Sequence, residues 1–223
     1  MQAIGETVFE VAYLILVITL GIVILRRSGG RHELRLFGSA AVLLGTGDSF
    51  HLVPRMLALW TTGMDSYAMW LGVGKLITSV TMTIFYVLLF LVWKERYAGG
   101  RRLRELTCAV FGLAAARILL CLMPQNRWFT NDGPLLWGII RNVPFLLLGL
   151  LVILLFLRSA RDRGDPYRLL WLALTLSFAF YIPVVLFASA VPMLGMLMLP
   201  KTCAYVWAVL MGLKASRVHF GRA

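Results

Sequence analysis

The feature that most constrains this sequence is a series of seven mostly apolar stretches, each about twenty residues or longer, joined by short connections. They span residues 8–26, 35–60, 69–94, 104–123, 134–157, 167–189 and 191–213. A helix needs about twenty apolar residues to cross the hydrocarbon core of a bilayer. Only 14% of the residues are charged, whereas soluble domains contain about 25%. We therefore predict an all-α polytopic membrane bundle of seven helices, with residues 1–223 forming one transmembrane domain.

Positive charges alternate between the connections that join these stretches. Sixteen of the 22 Lys and Arg residues lie at alternate connections and in the C-terminal tail, namely Arg26, Arg27, Arg31, Arg35, Lys94, Arg96, Arg101, Arg102, Arg104, Arg158, Arg161, Arg163, Arg168, Lys214, Arg217 and Arg222. The other connections carry only Arg127. Because basic connections stay on the cytoplasmic side, we expect an outward-facing N-terminus, a cytoplasmic C-terminus and a bacterial-type plasma membrane. Topology thus explains the net charge of +12 better than nucleic-acid binding, and membrane lipids are the expected partners.

Neither a metal site nor a cofactor is expected. Cys108, Cys121 and Cys203 are isolated within apolar stretches and form no C-x-x-C spacing. The three histidines form no H-x-x-x-H or H-E-x-x-H pair, which zinc hydrolases use. We interpret the cysteines as buried structural thiols.

The remaining charged residues lie inside the apolar stretches, where an ionisable group is costly unless it faces a partner or a cavity. Asp48, His51 and Arg55 follow one another at i, i+3 and i+7 and so share one helical face. Because successive helices alternate in direction, further polar residues fall at a similar depth, namely Glu10, Lys75, Thr78, Arg117, Arg141, Asn142, Lys201 and Tyr205. The pattern predicts a polar chamber with surplus positive charge in the outer half of the bundle. The candidate ligand-binding residues are His51, Arg55, Lys75, Arg117, Arg141, Asn142, Lys201 and Tyr205.

Two interpretations of this chamber remain open. In the first, its groups pair with one another, Asp48 with Arg55 or Lys75 and Glu10 with Arg141, or reach the outer headgroups. In the second, a bound anion supplies the missing negative charge, because two acids cannot neutralise five buried cations. The phosphate or carboxylate of a lipid is the natural candidate. Three of the cations, Lys75, Arg141 and Lys201, each lie several residues into an inward-running helix. This spacing would fit a weak internal repeat of helix pairs two/three, four/five and six/seven.

The segment around Asp48 carries a further signal. Residues 43–55 read Leu-Leu-Gly-Thr-Gly-Asp-Ser-Phe-His-Leu-Val-Pro-Arg, which resembles the G-D-x-x-x-L-x-P-R segment of the lysoplasmalogenase-like YhhN family. Members of that family are polytopic membrane proteins associated with cleavage of the vinyl-ether bond of lysoplasmalogens. The resemblance implies that Asp48 corresponds to a functional acid and is the candidate catalytic residue. It also implies that residues 71–78 and Lys201 correspond to polar positions on the family's next and last helices.

The chain departs from that family at two places. Its penultimate helix, at residues 176–183, has no acid where the family carries a second one, and relative to the family's pattern we expect one helix fewer at the N-terminal side. Vinyl-ether hydrolysis begins with proton delivery to the enol-ether carbon and continues with water attack on an oxocarbenium ion. A cationic chamber would repel that positively charged intermediate, which argues against simple inheritance of the family's mechanism.

The leading hypothesis is a lysoplasmalogenase-like protein that binds a lysophospholipid or similar anionic amphiphile, with its hydrolysis left open. The alternative is a non-enzymatic transporter or sensor of a small anion. A lateral opening toward the bilayer would favour the lipid, and a path to both membrane faces would favour transport.

Overall fold

The computed structural model of the protein describes residues 2–61, 63–98, 103–130, 133–187 and 190–220. These residues form seven α-helices, α1 (Gln2–Arg26), α2 (His32–Trp60), α3 (Ala68–Tyr97), α4 (Leu103–Leu122), α5 (Leu135–Ser159), α6 (Leu170–Phe187) and α7 (Met198–Phe220). All seven are long and apolar enough to cross a membrane. The prediction of an all-helical chain with seven long apolar helices is therefore confirmed.

The helix bounds differ most from the predicted stretches at α1, which begins at Gln2 rather than at residue 8, and at α7, and they differ by a few residues at α6. Helix α6 begins at Leu170 rather than at residue 167, because Asp165 holds the preceding turn by accepting a hydrogen bond from the Tyr167 amide at 3.0 Å. The predicted start of α7 is occupied by a 3-10 helix, Pro192–Leu197, and α7 follows directly after it. Pro200 therefore falls in the first turn of α7, where no backbone N–H is required.

The helices form a ring in chain order. Each helix packs against the next, α3 also contacts α5, and α1 closes the ring by packing against α7. A Cβ on Gly74 of α3 would collide with the carbonyl oxygen of Phe50 on α2. Glycine at this position therefore allows the two helices to approach closely. As a result, the polar face of α2 lies next to Lys75, the residue that follows Gly74.

An aromatic layer fills the middle of the bundle. It consists of Phe85, Tyr86, Phe145, Phe178 and Tyr205, all of which are buried. The rings of Tyr86 and Phe145 pack edge to face with centroids 5.2 Å apart, and those of Phe145 and Phe178 lie 5.1 Å apart. Such contacts stabilise a core beyond the burial of area alone. The layer separates the two ends of the bundle.

The end that carries the connections 27–31 and 160–169 and the last turns of α7 is called the basic end below. There Arg96 pairs with Glu33 at 3.2 Å and with Asp165 at 3.3 Å, and its guanidinium carbon lies 5.4 Å from the ring centre of Tyr167. Tyr97 donates a hydrogen bond to Asp165 at 2.5 Å. Arg96 thus ties α2, α3 and the α5–α6 connection together, in addition to any role in topology.

Candidate functional site

A cavity of about 350 Å³ lies between α1, α2, α3, α5, α6 and α7, on the far side of the aromatic layer from the basic end. We call it the chamber. Its ionisable and phenolic lining residues are Glu6, Glu10, Tyr13, Asp48, His51, Arg55, Lys75, Arg141, Tyr181 and Lys201. Its volume lies near the lower end of the range of about 300–1,000 Å³ for ligand sites. Six of the nine residues singled out from the sequence therefore line one cavity.

Arg55 is held by two carboxylates of α1. It donates a hydrogen bond to Glu6 at 2.8 Å, and its Nε atom lies 3.5 Å from Glu10. The expected pairing of Glu10 with Arg141 is therefore wrong, because α1 crosses next to α2 rather than next to α5. Within the described residues, Glu10 Oε2 and Nδ1 of His51 are buried without a hydrogen-bond partner. Buried polar atoms of this kind call for water or a ligand.

Asp48 is bound by a hydroxyl group rather than by a cation. Its Oδ2 accepts a hydrogen bond from Tyr13 at 2.6 Å, and Tyr13 is 4% exposed. In the part of the chain that the structure describes, no ion pair joins Asp48 to Arg55 or Lys75. The expected pairing of Asp48 with either cation is therefore not formed. The carboxylate faces the chamber, with α1 supplying its donor.

Three cations of the chamber are left without a carboxylate. Lys75 on α3, Arg141 on α5 and Lys201 on α7 lie more than 4 Å from every carboxylate oxygen among the described residues. The Lys201 ammonium instead lies 5.0 Å from the ring centre of Tyr181 and 5.5 Å from that of Tyr205. Aromatic faces attract a cation but leave its charge uncompensated. The chamber therefore retains the surplus of positive charge that the sequence predicts.

Arg117, Asn142 and Tyr205 do not line the chamber, contrary to expectation. Arg117 is 2% exposed, its guanidinium carbon lies 3.8 Å from the ring centre of Phe145, and it donates a hydrogen bond to Asn142 at 2.9 Å. The hydroxyl of Tyr205 lies 3.4 Å from that of Tyr86 within the aromatic layer. These side chains are turned inward by packing partners on neighbouring helices. Arg117 and Tyr205 support the chamber wall, whereas Asn142 lines two neighbouring cavities instead of the chamber.

A second cavity of about 250 Å³ adjoins the chamber under the α4–α5 connection, and we call it the antechamber. Lys75 and Arg141 line both cavities, and Arg127 lines the antechamber alone. The guanidinium carbon of Arg141 lies 4.1 Å from the ring centre of Trp128, and Arg141 donates a hydrogen bond to Asn126 at 2.8 Å. Among its described lining residues, the antechamber has no acid. Arg141 thus stands between two connected cationic spaces.

The α4–α5 connection is fixed by side chains that complete the end of α4. Asn126 is buried and donates hydrogen bonds to the carbonyl groups of Leu120 at 2.7 Å and Met123 at 2.8 Å. The indole N–H of Trp128 donates to the carbonyl of Cys121 at 2.7 Å. The last carbonyls of a helix have no partner within the helix, so these contacts stabilise the connection over the antechamber.

An apolar groove of about 160 Å³ runs along the outside of the bundle between α5 and α6. It is lined by Ile139, Asn142, Val143, Phe145, Leu146, Phe178, Tyr181, Ile182, Val185 and Leu186. Val143 is 48% exposed and Ile182 38% exposed, so the groove faces outward. Tyr181 and Val185 line both the groove and the chamber. A polar space inside the bundle therefore continues into an apolar one on its flank.

Sequence reasoning missed several residues of the site. Glu6, Glu10 and Tyr13 follow one another at i, i+4 and i+7 and so share one face of α1. This spacing could have revealed Glu6 and Tyr13 beside Glu10. Trp128 was also missed, and its ring lies against the guanidinium of Arg141. Tyr181 had no signal in the sequence, because its position at the meeting of chamber and groove depends on how α5 and α6 pack.

Gly72 is the point at which the α4–α5 connection touches α3. A Cβ at Gly72 would collide with the carbonyl group of Trp128, whereas a Cβ at Gly138, which lines the same antechamber, would meet no atom within 4 Å. Gly72→Ala is therefore expected to displace the connection and to lower the free energy of unfolding by about 1–3 kcal/mol, as overpacking does. Thermal unfolding in detergent micelles measures this loss.

Gly138→Ala is the matched control for Gly72→Ala. It should leave stability unchanged or raise it by up to about 1 kcal/mol, because glycine inside a helix is unfavourable. If both variants lose the same stability, the contact with Trp128 is not the reason for glycine at position 72.

Among the described residues, no group of three or more His, Cys, Asp or Glu side chains could hold a metal ion. Comparison of the chain with protein-family models, with curated proteins and with solved structures finds no match. The function of the site is therefore argued from its own geometry.

Proposed function

We propose that the protein is an integral membrane protein that binds a lysophospholipid or a similar anionic single-chain amphiphile. The phosphate occupies the chamber, and the hydrocarbon chain leaves through the apolar groove between α5 and α6. The observation that carries this proposal is the shared wall of the two spaces, where Tyr181 and Val185 line both. A polar pocket with an apolar exit on its flank matches the two parts of an amphiphile.

The charges of the chamber support an anionic head. Arg55 is already paired with Glu6 and Glu10, which leaves Lys75, Arg141 and Lys201 facing the single carboxylate of Asp48. Charges held away from water are costly unless an opposite charge joins them. A phosphate placed among the three cations would supply that charge through charge-assisted hydrogen bonds. Arg141 is the best placed of the three for a two-pronged contact, because its guanidinium is planar.

We further propose that Asp48 takes part in cleaving the bound lipid. Support comes from the resemblance of residues 43–55 to the YhhN family and from the exposure of Asp48 to the chamber beside Tyr13. In the reaction implied by that resemblance, a proton is added to the enol-ether carbon, water adds to the oxocarbenium ion, and the hemiacetal collapses to an aldehyde and a glycerophospholipid alcohol. The negative charge of Asp48 would offset the cations around the oxocarbenium ion.

The second candidate is a sensor or transporter of a small anion. The antechamber favours it, because Lys75, Arg127 and Arg141 line a space under the α4–α5 connection that has no acid among its described lining residues. The aromatic layer lies between these cavities and the basic end. In this conformation the arrangement therefore suits a sensor better than a transporter, which needs access from both membrane faces.

To test binding, the protein is purified in mild detergent and the lipids that co-purify with it are identified by mass spectrometry. A lysophospholipid enriched over its share of the host membrane is the expected result. If the co-purified lipids have the same composition as the host membrane and calorimetry shows that inorganic phosphate binds, the small-anion function replaces the lipid function.

The proposed orientation places the chamber in the outer half of the membrane and the basic end in the cytoplasm, as the positive-inside rule requires. In a background lacking the native cysteines, Thr130→Cys on the α4–α5 connection should react with a membrane-impermeant maleimide on intact cells. Gly164→Cys at the basic end should react only after permeabilisation. Asp132, on the same connection, lies outside the described residues. The reverse labelling pattern would invert the proposed orientation.

A further inference from the structure

A third polar space lies at the basic end, far from the chamber. A groove of about 300 Å³ between the α5–α6 connection and α7 is lined by Arg163, Asp165, Pro166, Arg168, Leu169, Trp207, Leu210, Met211 and Lys214. Lys214 follows Lys201 of the chamber by thirteen residues on α7, which corresponds to about 20 Å along the helix axis. The groove is therefore separate from the proposed lipid-binding chamber.

The charge of this groove is positive and unopposed. Arg163, Arg168 and Lys214 are exposed, and no carboxylate of the described residues lies within 4 Å of their charged groups. Asp165 also lines the groove, but its carboxylate is engaged by Arg96 at 3.3 Å and by the Tyr97 hydroxyl at 2.5 Å. Three cations therefore surround the groove without a counter-charge.

The floor of the groove is apolar and continues along the outside of α7. Leu169 is 42% exposed and Leu210 43% exposed, and Met211 lies beneath them. Cys203, Leu210, Lys214 and Arg217 are all exposed on α7, at spacings that place them on one face. The interpretation of the cysteines as buried thiols is therefore wrong for Cys203, and also for the exposed Cys108, and holds only for Cys121. An acyl chain lying along this face would cover its apolar part while its headgroup stays among the basic side chains.

We propose that this groove binds the phosphodiester headgroup of an anionic glycerophospholipid from the membrane leaflet at the basic end, with an acyl chain along the exposed face of α7. Basic pockets beside transmembrane helices recognise anionic headgroups in this way. Free phosphate would satisfy the charges, but only a lipid also covers Leu169 and Leu210. The site is independent of the chamber and of the function proposed for it.

The test uses the full-length protein in nanodiscs of phosphatidylcholine with a minor fraction of phosphatidylglycerol, and native mass spectrometry after release into detergent. The wild type should retain phosphatidylglycerol in preference to phosphatidylcholine. The variant Arg163→Gln/Arg168→Gln/Lys214→Gln should bind phosphatidylglycerol on the order of 100-fold more weakly, as expected for three lost contacts between basic residues and an anionic lipid.

The matched control is Arg26→Gln/Arg35→Gln/Arg104→Gln, which removes three exposed charges from the same end of the bundle. It should retain phosphatidylglycerol as the wild type does. An equal loss in both variants would overturn the groove site in favour of general surface charge. Displacement of phosphatidylglycerol by millimolar inorganic phosphate would overturn the lipid as occupant. Equal retention of phosphatidylglycerol and phosphatidylcholine by the wild-type protein would also refute the proposal. This outcome does not depend on whether the variants fold, because it is measured on the wild type alone.

Discussion

Replacing Lys75 and Lys201 together with glutamine is expected to weaken binding of a lysophospholipid by at least about 100-fold without destabilising the protein. A hydrogen bond to a charged group contributes about 1.5–3 kcal/mol, and two such losses correspond to about 100-fold or more in affinity. Neither lysine has a carboxylate partner in the described part of the chain. Removal of two uncompensated charges should therefore leave the melting temperature unchanged or raise it.

The measurement combines two readouts on each purified variant, the dissociation constant for lysophosphatidylglycerol, an anionic lysophospholipid, in nanodiscs and the melting temperature without added lipid. Lys94→Gln/Arg104→Gln, which removes two charges at the basic end, is the control and should bind as the wild type does. The opposite pattern, a lower melting temperature with unchanged binding, would mean that both lysines stabilise the bundle and contact no ligand. Each single variant also shows whether the two losses add, as independent contacts would.

The bundle was predictable from the sequence because membrane helices must satisfy their own backbone hydrogen bonds, so that length and hydropathy suffice to find them. The depth of the polar residues followed from the alternating helix directions, and this is why Asp48, Lys75 and Lys201 were expected in one layer. Side-chain partners were not predictable in the same way. They depend on which helices become neighbours and on the rotation of each helix about its axis, and hydropathy fixes neither.

The pairing of Arg55 illustrates this limit. Sequence spacing places Arg55 on the face of Asp48, but the close packing of α1 against α2 gives it Glu6 and Glu10 instead. Arg117 shows the same effect, because its position in α4 suggested the chamber while its side chain lies against Phe145. The apolar groove had no sequence signal at all. It arises from the packing of α5 against α6 and from side chains that are unremarkable in a membrane helix.

Asp48→Asn is expected to abolish most lipid turnover, by about 100-fold or more, while costing only about 1 kcal/mol of stability. The large kinetic effect is in the usual range for loss of one group that stabilises charge in the transition state. The small structural effect follows from the contact itself, because the amide oxygen of asparagine can still accept the hydrogen bond from Tyr13. Had Asp48 been ion-paired with Arg55, its loss would have cost about 3–5 kcal/mol.

Turnover is measured as aldehyde released from a 1-alkenyl lysophosphatidylethanolamine, with stability and lipid affinity measured on the same preparation. Tyr13→Phe is the companion variant, because it keeps the carboxylate and removes its donor. If wild-type protein releases no aldehyde, the hydrolase part of the proposal fails, while the binding site is judged by affinity alone. Asp48 would then be the counter-charge of Lys75, Arg141 and Lys201. Because Asp48→Asn makes the chamber more positive, that role requires the variant to bind lysophosphatidylglycerol, which has a net negative charge, more tightly than the wild type does.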